Sequence, residues 1–123
     1  MIREARKGEC EAVMRVVEGA LLEVDPEGVR EAIAAGDAFV AVNRGHVKGA
    51  LVLDGARIEA IAVGRTHRGR GIGSALVERA AERGPLSAGF RPAVRPFYES
   101  LGFEIEREEG SEKRCRGRLS GPR

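Results

Sequence analysis

One turn of this sequence, Arg65 to Gly73, holds the residue types best suited to binding an anion. It follows the apolar run 58–63, which predicts a strand, and precedes apolar residues at helical spacing, which predict a helix. These residues are Ile72, Ala75, Leu76 and Ala80. A strand, a glycine-rich turn and a helix N-terminus in that order favour anion binding. The first helical amides have no intrahelical partner, and the helix dipole is positive there.

The turn carries both kinds of donor that a phosphate group needs. Glycine at positions 69, 71 and 73 lets the main chain approach a ligand with no Cβ in the way. Arg68 and Arg70 add charge and planar donors that match phosphate oxygens. Two common phosphate loops do not fit. The dinucleotide fingerprint would need glycine at Ser74, and the Gly-Lys-Ser/Thr of the Walker loop is absent.

Residues 68–73, with the sequence RGRGIG, have the form Gln/Arg-x-x-Gly-x-Gly/Ala. This segment resembles the pyrophosphate loop of the GNAT superfamily of N-acetyltransferases, enzymes that transfer an acetyl group from acetyl-CoA to an amine. The resemblance includes Ala62-Val63 before the loop and extends to FYESLGF, residues 97–103. It thus covers roughly the second half of the chain, in the order that the family requires. The glycine loop alone would be weak evidence, whereas the loop and FYESLGF together are specific.

The resemblance implies which residues hold acetyl-CoA as cofactor. The loop would bind the pyrophosphate. The backbone amides of Ala62 and Val63 would bind the oxyanion that forms when an amine attacks the thioester. Val63 can donate its amide even if its side chain only packs in the core. The implied cofactor-binding residues are Ile61, Ala62, Val63, Arg68, Gly69, Arg70, Gly71, Ile72, Gly73 and Ser74.

Tyr98 is the only tyrosine, and it lies in the FYESLGF segment. The resemblance implies a catalytic role, in which Tyr98 lies near the CoA sulfur and protonates the departing thiolate. An ordinary tyrosine pKa of about 10 keeps the hydroxyl protonated at neutral pH, so it can donate. The alternative is a structural tyrosine wedged behind its helix beside Phe97 and Leu101. With the loop upstream, the catalytic role is the stronger hypothesis.

A general base is harder to assign. Glu59 lies on the strand before the loop, where some members of the family carry a basic carboxylate. Strand alternation would place it on the same side as Ile61 and Val63. Burial between apolar neighbours would make this carboxylate more basic. The alternatives are a solvated Glu59, an ion pair with Arg57, and a chain of water molecules as the base.

Arg91 marks a departure from the family pattern, because many members have an asparagine at this position that helps to hold CoA. Pro96 favours a last helix that begins near Arg95, after an extended or turn segment. Arg91 or Arg95 would then contact a CoA phosphate or lie in solvent. His46 and His67 are predicted to be loop side chains that point to solvent.

Secondary-structure signals predict the elements that must position these residues. Asp25-Pro26 starts a helix that Gly36 ends, and Asn43 and Gly45, which tolerate positive φ, predict a hairpin turn. The predicted strands are 1–6, 38–42, 47–53, 57–63, 86–90, 103–107 and 114–119, and the predicted helices are 9–22, 26–35, one from 72 and one from 95. This order predicts a mixed α/β fold with one sheet. The resemblance adds a GNAT-like central sheet, flanked by helices, that splays where the pantetheine arm enters.

The composition is that of a single domain over residues 1–123, with the tail 120–123 expected to fray. The N-terminus is charged, and no apolar run approaches the ~20 residues needed to span a bilayer. A cytoplasmic protein with no membrane partner is therefore expected. Cys10 and Cys115 are expected to be reduced thiols, and no metal site is indicated. An aromatic content of 4% argues against nucleic-acid binding by base stacking.

Three hypotheses for the function follow. The favoured one is an acetyl-CoA-dependent N-acetyltransferase, in which the amine attacks directly in a ternary complex with no acyl-enzyme. The second is a CoA-binding module of the same fold with no catalysis. The third is a nucleic-acid-binding domain that uses the cluster Arg65–Arg70 and would show a steeply salt-dependent affinity. The expected acceptor is a small-molecule or peptide amine, in a site that is shallow or completed by a second subunit of a homodimer.

Overall fold

The computed structural model describes residues 1–20, 22–107 and 114–120. Within these ranges the strands are β1 (Ile2–Glu4), β2 (Ala38–Asn43), β3 (His46–Asp54), β4 (Arg57–Val63), β5 (Leu86–Phe90), β6 (Glu104–Arg107) and β7 (Cys115–Leu119). The α-helices are α1 (Cys10–Gly19), α2 (Pro26–Ala35), α3 (Ile72–Ala81) and α4 (Arg95–Ser100). Short 3-10 turns lie at Arg65–His67 and Pro92–Val94. The predicted order of elements is confirmed.

The strands form one sheet in the order β1-β2-β3-β4-β5-β7-β6. All neighbouring strands are antiparallel except β4 and β5, which are parallel. Among the described residues, β4 and β5 pair only where Arg57 and Ile58 face Ser87 and Ala88. Residues 59–63 of β4 continue without a partner in β5. The sheet is therefore split toward the carboxyl ends of these two strands, which confirms the predicted splay.

The helices cover both faces of the sheet and enclose two apolar clusters. One cluster joins α3 and α4 to the sheet and includes Leu51, Ile58 and Leu76. The other joins α1 and α2 to the opposite face and includes Val13 and Val29. The split between β4 and β5 thus lies in the middle layer of a three-layer α/β fold.

Helix α2 has its predicted ends for local reasons. The Asp25 carboxylate accepts a hydrogen bond from the Glu27 amide, and Pro26 occupies the first turn, where its missing N–H costs nothing. Gly36 ends the helix in the left-handed conformation, with φ of 77°. Helix α1 is shorter than predicted and ends at Gly19.

The turn between β2 and β3 differs from the prediction in one detail. Asn43 is the last strand residue and pairs with His46, so the turn consists of Arg44 and Gly45 alone. Their φ values are 52° and 79°, which suits a two-residue type I′ turn. The hairpin is confirmed, but Asn43 does not take the positive φ, because strand pairing extends one residue further than the apolar run.

Other predictions concern single residues or the ends of the chain. Cys10 and Cys115 are both free thiols, as expected. The turn predicted at Glu109-Gly110, the residue Leu21 and the tail from 121 to 123 lie outside the described residues. None of the described helices is long and apolar enough to cross a membrane.

Arg83 lies just after α3 and connects that helix to residues of β1 and of the segment before β2. Its guanidinium donates to Asp37 at 2.7 Å, to Glu4 at 3.3 Å and to the carbonyl oxygen of Gly36. It also lies 5.1 Å from the ring centroid of the buried Phe39. We expect Arg83→Ala to lower the free energy of unfolding by about 1–2 kcal/mol, measured by urea denaturation. Larger values are not expected, because the side chain is 37% exposed and solvent screens its charge.

Arg30→Ala is the matched control, because Arg30 forms one ion pair with Glu27, at 3.0 Å, on the open surface of α2. That change should alter stability by less than about 0.5 kcal/mol. Equal losses in the two variants would show that the contacts of Arg83 with the sheet contribute nothing beyond a surface charge.

Glu9 precedes α1, and its carboxylate is held by two groups. Arg3 donates to it at 2.8 and 2.9 Å, and the amide of Arg6 donates at 2.6 Å. The Arg3 hydrogen bond lowers the pKa of Glu9 from 4.5 to about 2. A lowered pKa in the folded state stabilises the protein above the unfolded value of 4.5, and this stabilisation is lost as the pH falls toward 2.

We therefore expect Glu9→Gln to lower the free energy of unfolding at neutral pH by about 1–2 kcal/mol. Its effect should shrink as the pH falls from 4.5 toward 2, because wild-type Glu9 is itself protonated there. Denaturation curves across this pH range measure both quantities. Glu11→Gln, at an exposed position of the same helix, is the control. A constant difference between Glu9→Gln and wild type at every pH would contradict the assignment.

Candidate active site

The predicted phosphate loop joins β4 to α3, and its main chain is open. Gly69 and Gly71 are both left-handed, with φ of 79° and 78°, and Gly71 is the N-cap of α3. The first amide of this region with a backbone partner is that of Ala75, which donates to Gly71 at 3.0 Å. None of the amides from Arg68 to Ser74 donates to another group in the described part of the chain. A run of free amides therefore stands at the positive end of the α3 dipole.

Two close contacts bring this run of amides beside the end of β4. A Cβ at Gly73 would lie 3.3 Å from the ring of Phe97 and 3.8 Å from Cγ2 of Val63. A Cβ at Gly49, in β3, would lie 3.1 Å from Cγ2 of Ile72. The first turn of α3 thus packs directly on β3, β4 and α4. Glycine is needed at Gly73 and Gly49 for this approach, whereas at Gly69 and Gly71 it is needed for the backbone conformation.

The register between β3 and β4 decides which β4 amides face the split. Val63 lies opposite Gly49, and the amide of the next residue, Gly64, donates to Lys48 at 2.6 Å. Opposite residues in an antiparallel ladder alternate between pairs that exchange hydrogen bonds and pairs that do not. The amides of Ile61 and Val63 therefore face the split.

The same alternation turns the amide of Ala62 toward β3, where Ala50 lies opposite. Its buried side chain belongs to the cluster under α1 and α2. Of the three cofactor-binding residues predicted on β4, Ile61 and Val63 thus have the geometry for contacting a ligand through their amides. Ala62, predicted as an oxyanion donor, does not.

The loop side chains have different environments. Arg68 and Arg70 are exposed, and Nε of Arg68 donates to the carbonyl oxygen of Val63 at 3.1 Å. His67 is partly buried, contrary to the prediction that it points to solvent. Its Nε2 lies 3.3 Å from Nδ2 of Asn43, and its Nδ1 lies 2.9 Å from Oγ1 of Thr66. These contacts join the β2–β3 hairpin to the loop.

Sequence reasoning missed this link between the loop and the hairpin, because Asn43 is 24 residues from His67 and no local pattern relates them. His46, by contrast, is exposed at the start of β3, as predicted.

Tyr98 lies in α4 and is 5% exposed. Its ring stacks on that of Phe90, with centroids 4.2 Å apart, and meets Phe97 and Phe103 edge-on at 5.1 Å. Phe90 is the last residue of β5, the strand on the far side of the split. Burial raises the pKa of Tyr98 above 10, so the hydroxyl stays protonated throughout the neutral range. The aromatic cluster fixes the position of the ring, and the raised pKa keeps the hydroxyl group protonated.

Glu59 occupies a β-bulge, and this overturns its predicted orientation. Ala60 faces Val52 and Ile58 faces Leu53, so Glu59 has no partner in β3. The bulge reverses the alternation of side chains. Ile58 packs on the same face as Ile61, while Glu59 lines a cavity of about 360 Å³ with residues of α2 on the other face.

The surroundings of Glu59 also differ from the predicted burial. Its side chain is 38% exposed, and its carboxylate lies 3.6 Å from the guanidinium of Arg57. Glu59 does follow Ile58, the last residue of β4 that pairs with β5, and so lies at the apex of the split.

The segment before Tyr98 has the predicted form. Helix α4 begins at Arg95 with Pro96 in its first turn, and a 3-10 turn precedes it. Nε of Arg95 donates to Glu99 at 2.6 Å, and Arg91 is extended and exposed. No group of three or more His, Cys, Asp or Glu side chains in the described ranges could hold a metal ion.

A family model described as the acetyltransferase (GNAT) domain matches residues 34–105 of the chain, which is more than half of its length. The matched range contains the whole split, the loop and Tyr98. No curated protein sequence matches the chain.

Several solved structures share the fold over nearly the whole chain. Ard1 from Thermoplasma volcanium superposes with a TM-score of 0.82 and 21% identity, covering 100% of this chain and 98% of that one. Rv2747 from Mycobacterium tuberculosis, solved with CoA and a second ligand, gives 0.81 and 19%, with 98% of both chains covered. Arabidopsis thaliana Naa50, in complex with a CoA–acetyl–peptide bisubstrate analogue, gives 0.75 and 19%, covering 98% and 97%. At these identities the structures establish the fold alone.

Proposed function

The chain belongs to the GNAT acetyltransferase family, and we propose that it transfers the acetyl group of acetyl-CoA to a primary amine by direct attack in a ternary complex. The observation that carries the proposal is the run of free amides from Arg68 to Ser74 at the N-terminus of α3, beside a split in the sheet. A loop whose amides were bonded within the protein would have no donors for a diphosphate. Here every one of them is available.

The loop is proposed to bind the pyrophosphate of CoA through these amides, aided by the charge of Arg70. The pantetheine arm would then lie in the split, where β4 lacks a partner strand beyond Ile58. The amides of Ile61 and Val63 face this space and can complete hydrogen bonds that β5 does not provide. The split thus supplies both the room and the donors for an extended arm.

The proposed chemistry forms a carbon–nitrogen bond and breaks the carbon–sulfur bond of the thioester. The amide of Val63, or that of Ile61, donates to the oxygen of the tetrahedral intermediate. Tyr98 donates its proton to the departing thiolate, and burial favours this role because it keeps the hydroxyl protonated. The amine must lose its own proton to a base before or during attack.

Glu59 is the proposed base, acting directly or through water, because it lies at the apex of the split and opens into the cavity beside α2. An amine that enters from that face would meet its carboxylate. We expect Glu59→Gln to lower kcat by about tenfold or more with little change in the Kd for CoA. Asp54→Asn, in the same cavity, is the control. Equal activity of Glu59→Gln and wild type would show that a chain of water molecules, and not Glu59, takes the proton of the amine.

Calorimetry with CoA and with acetyl-CoA tests the proposal first, and saturable binding of both is expected. An amine panel that includes peptides with free N-termini, lysine, polyamines and small metabolites then identifies the acceptor by release of the CoA thiol. Binding of acetyl-CoA without turnover of any amine would favour a CoA-binding module with no catalysis. Absence of binding to either nucleotide would overturn the assignment of the loop.

A further inference from the structure

The guanidinium of Arg68 is turned back onto the strand that precedes the loop. Its Nε–H donates to the carbonyl oxygen of Val63 at 3.1 Å. The amide of Gly64, in the same peptide group, donates to Lys48 at 2.6 Å. The peptide between Val63 and Gly64 is therefore held on both sides, by β3 through its N–H and by Arg68 through its carbonyl oxygen.

This peptide group lies between the β4 amides that face the split and the free amides of the loop. The Val63 amide, which faces the split, comes just before it, and the free amides of the loop begin at Arg68. The turn between them has one backbone hydrogen bond, from His67 to Gly64 at 2.9 Å. The Arg68 contact closes this turn by joining its last residue to the end of β4. A loop with so few internal bonds depends on such contacts to keep one conformation.

We propose that Arg68 is a positioning residue, whose Nε–H holds the end of β4 and the start of the loop in the geometry that binds the pyrophosphate and orients the Val63 amide. The inference rests on the proposed function. Arg68 then contributes mainly through one hydrogen bond within the protein. Its residue type and its place in the loop predict only a charge directed at phosphate. A loop ordered before binding loses less conformational freedom when the ligand arrives.

Two substitutions separate the hydrogen bond from the charge. Arg68→Gln removes the charge but keeps an N–H donor at the same position along the side chain as Nε. Arg68→Lys keeps the charge but has a methylene at that position. If Arg68 positions the loop, Arg68→Gln should bind CoA with a Kd within about twofold of the wild-type value. Arg68→Lys and Arg68→Ala should bind CoA about five- to tenfold more weakly.

The opposite ranking would overturn the proposal. If Arg68 acts chiefly by its charge, Lys should bind CoA like wild type, and Gln should bind as weakly as Ala. Equal weakening by Gln and Lys, or tighter binding by any of the three variants, would also overturn it, since tighter binding would mean that the contact obstructs the site. The same substitutions at Arg70 serve as the control, because Arg68 is the only loop arginine that donates to the Val63 carbonyl in the described part of the chain. At Arg70, Lys should be tolerated better than Gln.

A second measurement needs no ligand and so remains informative if the protein does not bind CoA. Hydrogen exchange of the Gly64 amide in the free protein should accelerate in Arg68→Lys and Arg68→Ala but not in Arg68→Gln. Thermal unfolding should be unchanged in all three, because Arg68 is exposed. Unchanged exchange in every variant would refute the positioning role. Failure of wild type to bind CoA would instead refute the proposed function.

Discussion

Replacement of Gly71 by valine is expected to weaken CoA binding at least about 100-fold while the chain stays folded. Gly71 has φ of 78°, a conformation that costs a β-branched residue about 1–2 kcal/mol or more. A Cβ there would meet no protein atom within 4 Å, so it would project into the open space in front of the loop. The valine would therefore both strain the N-cap of α3 and occupy the volume proposed for the pyrophosphate. Calorimetry with CoA measures the loss.

Gly55→Val is the matched control for this experiment. Gly55 also has a positive φ, of 62°, and also has no atom within 4 Å of an added Cβ, but it lies in the turn between β3 and β4, at the other end of the sheet from the loop. Both variants should lose similar amounts of stability, and only Gly71→Val should lose CoA binding. Normal CoA binding by Gly71→Val would show that the phosphates lie elsewhere.

The parts of this fold that the sequence predicts well are those governed by neighbouring residues. Asp25-Pro26 and Gly36 set both ends of α2, because capping depends on side chains within one turn of the helix. The open loop was predictable for the same reason, since Gly71 at the N-cap of α3 has no side chain that could accept from the first helical amides. The order of strands and helices also follows from local apolar patterns.

The failures concern residues whose environment depends on distant parts of the chain. The bulge at Glu59 is a property of the β3–β4 register, and it moves this carboxylate to the face opposite the one that simple alternation predicts. The same register decides that the amide of Val63 faces the split and that of Ala62 does not. The alternation of side chains can be predicted from the sequence of one strand. The direction in which each amide points depends on the register with the neighbouring strand.

The side-chain contacts of the loop were beyond prediction for a related reason. Arg68 has the residue type of a phosphate ligand, and only the position of the Val63 carbonyl shows that its side chain also has a partner within the protein. His67 meets Asn43 because a type I′ turn two strands away ends beside the loop. Neither contact leaves a periodic signal in the sequence.

Tyr98→Phe is expected to lower kcat by about 100-fold or more without destabilising the protein. The ring would keep its stacking on Phe90 and its edge-on contacts with Phe97 and Phe103, since these involve only ring carbons. The hydroxyl proposed to protonate the thiolate would be gone, whereas the groups proposed to bind CoA are on β4 and the loop. The Kd for CoA should therefore change little. Steady-state kinetics, calorimetry and thermal unfolding measure the three quantities.

The pH dependence separates a proton donor from a residue that only packs. Burial raises the pKa of Tyr98 above its ordinary 10, so wild-type kcat should fall only as the pH rises through that raised value, where the hydroxyl loses its proton. This alkaline decrease should be missing from Tyr98→Phe, whose residual activity has no such proton to lose. Phe90→Leu keeps the hydroxyl but removes the stacked ring, so it should retain the alkaline decrease while losing stability. If Tyr98→Phe turned over as fast as wild type, Tyr98 would be a structural aromatic, and the thiolate would take its proton from water.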